Sequence, residues 1–257
     1  MLKISIVTPV LNGRQYIRDT VESVLAQRGD FELEYIVRDG GSTDGTLELL
    51  NRYRERCRIV SEADGSPQAA INRGMAVATG EIAGWLNGDD LYAPGCLQAV
   101  ARLFANRPKC RWCYGRCRII DQGGCEIRKP ITWYKNILGR WFSRNLLLCE
   151  NFINQPATFW HLDLWREIGG LDSSYKAAWD YELWLKMAKI ARPRHLSRYL
   201  AAFRRHPQSI SETHFERQFA EELEIAAARG NRLHRSLHAC NRWKITTAYR
   251  LMAESKK

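Results

Sequence analysis

The chain has 257 residues, 45% hydrophobic and 26% charged, with a formal net charge of +11. That length allows one large α/β domain, or one domain with a tail, and the composition is that of an ordinary globular protein rather than a disordered one. No run approaches roughly 18 uninterrupted apolar residues, so no membrane-spanning helix is expected. The positive charge implies an anionic partner; by sign alone, nucleic acid, acidic lipid and a phosphorylated substrate all qualify.

The opening MLKISIVTPVLN reads as a strand, because its apolar part is too short for a secretion signal and lacks a small-residue cleavage site. The expected location is therefore cytoplasmic. Ile4 to Val10 is a β-branched run suited to a strand covered on both faces. Ile17, Val21, Val24 and Leu25 then recur at helical spacing. Leu33 to Val37 is a second strand ending at Arg38-Asp39, and Leu47, Leu50 and Tyr53 mark a second helix. Ile59-Val60 is a short third strand, Ile71, Met75 and Ala78 lie on a third helix, and Ile82 to Leu86 is a fourth strand. Pro94 suits the first turn of a helix carrying Leu97, Val100, Ala101 and Phe104.

Strands alternating with helices imply right-handed crossovers and a mainly parallel, Rossmann-like sheet flanked by helices. Ligands then bind outside the carboxyl ends of the strands, where Asp39 and Asp89 both fall. The second half is less regular. Residues 129–150 mix Trp133, Tyr134, Trp141 and Phe142 with Lys and Arg and read as a mobile or surface-associated segment. Helical patterning returns at Tyr181 to Met187 and from about Phe215 to Ala228. A catalytic domain over 1–212 and a helical basic tail over 213–257 are expected. From Arg229 onward eight Lys or Arg residues meet one acid, Glu254.

Cys110, Cys113, Cys117 and Cys125 have a spacing that zinc could use. Most of them sit in a strand-like stretch, however, where thiols act as small hydrophobes, and core burial is the preferred reading.

Asn87-Gly88-Asp89-Asp90 follows the fourth strand directly. Adjacent carboxylates at the end of a buried strand are costly unless a cation or hydrogen bonds accept their charge. Mg²⁺ and Mn²⁺ take one or two carboxylates and complete their shell with substrate phosphates; the alternative is a plain turn. The loop Arg38 to Thr46 holds three glycines and two acids but is neither a G-x-G-x-x-G nor a Walker loop. Its Asp39 can accept from a base or ribose, while Ser42 or Asp44 caps the next helix.

With these motifs in place, the chain resembles glycosyltransferase family 2, inverting enzymes of the GT-A fold. The matching strings are IVTPVLN at 6–12, VRDGGSTDGT at 37–46, INRG at 71–74, LNGDD at 86–90 and WDYELWLKM at 179–187. The resemblance implies a nucleoside diphosphate sugar donor, a saccharide or lipid-linked acceptor, a Mn²⁺ or Mg²⁺ cofactor and a role in surface polysaccharide or glycolipid synthesis. It places Thr8, Pro9, Asp39, Asp64, Asn72, Asn87 and Asp90 around the nucleotide and Asp89 on the metal, with His206 reaching metal or phosphate. Gln155 and Trp179 fall to the acceptor region. Asn87 stands where the family carries the first acid of D-x-D, and Ala69 where many members have Asp.

Asp180 is the candidate general base, since direct displacement requires the acceptor hydroxyl to lose its proton as it attacks. The alternative is that Asp180 and Glu182 merely complement a helix N-terminus, with Glu182 facing away. The basic tail, with Leu233, Leu237 and Trp243, either lies on anionic lipid at the inner membrane face or packs on the domain. A sugar nucleotidyltransferase would need a richer basic glycine loop than Asn12-Gly13-Arg14. A non-catalytic nucleotide-sugar-binding module is the other alternative. Nucleic acid is not expected, because acids at the strand ends repel phosphate.

Overall fold

The computed structural model describes residues 1–242, so Trp243, Ile245, Tyr249 and Leu251 of the basic tail lie outside the described residues. The first strand, β1 (Leu2–Val10), is buried from Ile4 onward, as its unbroken apolar run requires. It pairs in parallel with β2 (Phe31–Asp39) and with β4 (Ile82–Trp85), and β2 pairs in parallel with β3 (Arg58–Ser61). The intervening helices are α1 (Ile17–Leu25), the short α2 (Thr46–Leu50) and α3 (Pro67–Ala76). Register pairs Val10 with Asp39 and Asp39 with Ser61. The carboxyl ends of these strands therefore stop at one edge, and the loops that follow share it.

Beyond β4 the sheet is mixed. Its order is β3-β2-β1-β4-β8-β6-β9-β5, with β7 (Glu126–Ile127) against β6. β8 (Thr158–His161) runs antiparallel to both β4 and β6 (Trp112–Ile120). β6 is thereby codirectional with β4, and β9 (Arg194–Arg204) is parallel to β6. The carboxyl ends of β4, β6 and β9 and the amino end of β8 consequently meet at the edge already defined. Pro94 lies just before α4 (Cys96–Asn106) instead of in its first turn, because Gly95 intervenes with φ 71°. The two-residue β5 (Leu91–Tyr92) pairs with β9.

Residues 129–150, expected to be a mobile or surface-associated segment, form two helices, α5 (Lys129–Leu138) and α6 (Arg144–Cys149), with Trp133 and Trp141 at the surface. The next helices are α7 (Leu162–Ile168) and α8 (Trp179–Ile190), the latter buried on nearly all sides. Trp184 of α8 stacks on Trp85 at 5.8 Å and on Trp112 at 6.1 Å, and Trp160 stacks on Trp165 at 5.4 Å. Each such aromatic pair contributes about 0.5–1.5 kcal/mol beyond its buried area. This stack fixes α8 against the sheet and sets its N-terminus at the carboxyl edge.

Glu182 does not face away. It is buried, 3.3 Å from the Lys186 ammonium and paired with Arg229 of α10 (Phe215–Arg229). Short α9 (Ile210–Thr213) precedes α10, and a helical stretch over 232–242 follows it. That stretch packs on the domain through His238, which is buried, and through Asn241, whose amide donates to the Cys149 carbonyl at 3.2 Å.

Cys57, Cys96, Cys110, Cys113 and Cys117 are buried free thiols, while Cys125 and Cys240 are exposed. Among the described residues no cluster of three or more His, Cys, Asp or Glu could hold a metal ion alone. Nor does any described helix have the length and apolarity to cross a membrane.

Candidate active site

A cleft of about 1320 Å³ opens at the shared carboxyl edge. Pro9, Asp64, Asn87, Asp89, Gln155, Trp179, Asp180 and His206 all line it, though they come from segments far apart in the chain. The topology explains the meeting. Asn87 and Asp89 follow β4, and Gln155 sits in a single 3-10 turn (Gln155–Ala157) ahead of antiparallel β8. His206 follows β9, and Asp180 stands in the first turn of α8.

The 86–90 loop is fixed from several sides. Gly88 packs so tightly that an added Cβ would lie 3.0 Å from Val10 Cγ2. The Asn87 amide donates to Gln155 Oε1 at 3.0 Å, and the Gln155 amide donates to the Trp85 carbonyl at 2.8 Å. Gln155, expected at the acceptor, thus also orients Asn87. The Arg204 guanidinium donates from Nε to the Asp89 carbonyl and from Nη1 to the Gln122 carbonyl, each at 2.9 Å. It also lies 4.9 Å over the Tyr16 ring. His206, two residues on, places Nε2 2.9 Å from Asp89 Oδ2, and its ring is 4.8 Å from that of Tyr16.

The donor set fits a divalent cation only in part. Asp89 and His206 offer one carboxylate and one imidazole at adjacent positions, and His206 Nδ1 is buried without a partner. Two ligands are too few for an all-protein cage. They suit a cation that takes its remaining oxygens from a diphosphate.

Thr8, Asp39, Asn72 and Asp90 lie behind the cleft wall, not on it. The Thr8 hydroxyl accepts from Tyr35 at 3.0 Å. Asp39 is not free, as expected from the loop sequence, but buried: Ser42 and Ser61 hydroxyls donate to it at 2.5 and 2.6 Å. Asn72 is satisfied twice by the Leu171 backbone, at 2.9 and 3.0 Å. Asp90 accepts the Arg204 backbone N–H at 2.9 Å. Burial and the neighbouring Asp89 charge hold the Asp90 carboxyl well above the usual range. Each of these four shapes a loop by spending its polar atoms inside the protein. Neither Ser42 nor Asp44 caps α2, whose N-cap is Gly45 (φ 90°) without a side-chain cap bond; Asp44, one residue ahead, accepts from the Thr46 backbone at 3.0 Å.

Asp64 remains available on one side. Arg38 donates to its Oδ1 at 2.6 Å and Arg73 pairs with the same oxygen, while buried Oδ2 has no partner. An anion held by two guanidiniums with one oxygen unused suits acceptance from a base or ribose.

Elsewhere on the cleft wall, burial and the nearby Glu222 push the Asp180 carboxyl up to about 7. The Tyr181 backbone N–H donates to it at 2.7 Å and opposes that rise. Glu221 of α10 accepts the backbone N–H groups of Lys176, Ala177 and Ala178 at 2.8–3.0 Å, which fixes the approach to α8. Glu150, Glu222, Tyr134 and Lys135 complete this wall. Sequence reasoning missed them; the only local signal was an isolated acid, Glu150, following the apolar run Leu146 to Leu148.

The fold is of the GT-A class, with its cleft at the carboxyl edge of the sheet. The structure is similar to S. aureus TarS 1-349 in complex with UDP-GlcNAc, with a TM-score of 0.68 at 18% identity over 94% of this chain and 72% of that one. It is likewise similar to the mannosyltransferase PcManGT from Pyrobaculum calidifontis, in complex with GDP-Man and Mn²⁺ (TM-score 0.67, 20% identity, 98% and 74% of the two chains). The profile of Glycosyl transferase family 2 matches residues 5–160, and the chain belongs to that family. A chondroitin synthase of Pasteurella multocida is 28% identical over 202 residues, which are 76% of this chain but 20% of that relative. The chain thus spans about a fifth of that relative's length.

Proposed function

We propose that this glycosyltransferase moves a sugar from a nucleoside diphosphate sugar to an acceptor hydroxyl with inversion, in surface polysaccharide or glycolipid synthesis. The observation that carries the reading is one cleft lined both by the Asp89–His206 pair and by Asp180, with its carboxyl near 7. The nucleotide lies between Pro9 and the Asp64 loop, where Gly65 (φ 77°) leaves open space. The diphosphate lies toward Asp89 and His206, which would hold Mn²⁺ or Mg²⁺. When bound, the cation offsets the charge that develops on the departing diphosphate.

Asp180 takes the proton of the acceptor hydroxyl as that oxygen attacks the anomeric carbon from the face opposite the leaving group. A carboxylate with its pKa near neutral is ionised yet basic enough for this task. Trp179 and Tyr134 wall the acceptor side, and Gln155 holds Asn87 in place.

Two variants separate the roles. Asp180→Asn is expected to lower kcat at least about a hundredfold while nucleotide affinity stays within twofold. Asp89→Ala is expected to lose both transfer and the metal-dependent part of nucleotide binding, read by titration calorimetry with and without Mn²⁺. Transfer retained by Asp180→Asn would remove it from the base role.

A further inference from the structure

Helix α5 turns Leu138 against the core and Ile131 toward the cleft, yet it leaves other large apolar side chains outside. Its buried residue is Thr132, whereas Trp133 is 66% exposed, Tyr134 42% and Ile137 37%. Trp141, in the turn that follows, is 78% exposed. Trp133, Ile137 and Trp141 recur every four residues and form one outward stripe. Every other described tryptophan is buried, so these two stand apart from the rest of the molecule. A helix that only packed on the domain would turn its large apolar side chains inward.

The segment that carries the stripe holds charge of one sign, although Glu212 pairs with its Arg128 at 3.7 Å. Residues 127–149 include Arg128, Lys129, Lys135, Arg140 and Arg144 and no acid. Lys129 and Arg140 are exposed, and Arg192 joins them by donating to the Phe142 carbonyl at 3.1 Å. Exposed tryptophans among cations match the water–lipid boundary, where indoles settle at headgroup depth and cations meet anionic phosphates.

We propose that the α5–Trp141 face docks on an anionic lipid surface. This goes beyond the transfer reading and does not depend on it. The same helix supplies Pro130, Ile131, Tyr134 and Lys135 to the cleft, so docking would bring the acceptor side of the cleft to the membrane.

The test is cosedimentation of the full chain with vesicles of phosphatidylcholine alone, and of about three parts phosphatidylcholine to one of phosphatidylglycerol. Binding is expected to the mixed vesicles only, to weaken at high salt, and to fall about tenfold or more in Trp133→Ser/Trp141→Ser. Melting temperature should be unchanged, since both side chains are exposed. Lys129→Glu/Arg140→Glu, which leaves the apolar stripe intact, should lose binding in the same way and serves if the first pair misfolds. A wild-type chain that ignores mixed vesicles, or variants that pellet like wild type, would overturn the proposal. So would a lipid-free dimer, seen by sedimentation velocity, that the same substitutions dissolve while vesicle binding stays absent. No donor or turnover enters the measurement, so its failure leaves the transfer reading standing.

Discussion

Asp180 carries a proton near neutrality because desolvation and the Glu222 charge outweigh the backbone hydrogen bonds it accepts and the Lys135 charge. With its pKa near 7, kcat/KM is expected to rise about tenfold per pH unit below that value and to level above it. Stability should run the other way. Between the ordinary carboxylate range and 7 the folded chain keeps a proton that the unfolded chain has released, so stability falls as pH rises through this window. Asp180→Asn abolishes that loss. Denaturant titration should find the variant more stable than wild type by on the order of 2 kcal/mol at pH 8 and equal to it at pH 4. At this scale the sequence was informative where motifs carry the family resemblance: LNGDD follows a strand, WDYELW opens a helix, and Asp89 and Asp180 from these strings line one cleft. It put Asp39 and Asn72 around the nucleotide without showing that Ser61 and Leu171, partners that only folding brings near, take up their polar atoms.

Elements were legible where their apolar pattern agrees with their burial. The β-branched run of β1 and the spacing of α1 say the same thing as the structure. In α5 the pattern and the burial disagree, which is why 129–150 read as a mobile or surface-associated segment. α10 was read as the start of a tail, yet its Glu221 accepts three backbone N–H groups ahead of α8. Of these donors the one on buried Ala178 would otherwise go unmet away from water. Glu221→Ala is expected to destabilise the fold by about 1–3 kcal/mol, visible as a Tm several degrees lower, and to reduce kcat by loosening the segment before Asp180. Hydrogen bonds hold the Glu221 carboxyl below the usual range. Its contribution is thus present at neutral pH and lost as pH falls through that lowered value, and the gap between wild type and variant should close in acid.

For the molecule as a whole, the boundary expected at 212 crosses a packed interface. Glu182 of α8 pairs with Arg229 of α10, and Phe219 and Glu222 of α10 line the cleft beside Asp180. We therefore propose that the catalytic unit includes α10. The eight thiols, spread from the sheet interior to the surface, turn this architecture into a chemical clock. Cys125 and Cys240 should be alkylated at once in the native chain. Cys149 borders the cleft and is half-buried, with its thiol pushed up by burial and by Glu150, so it should react slowly and be shielded by whatever fills the acceptor side. Cys57, Cys96, Cys110, Cys113 and Cys117 should wait for global opening. Intact-mass spectra taken along such a time course would report occupancy and unfolding from the same tube, with no added label.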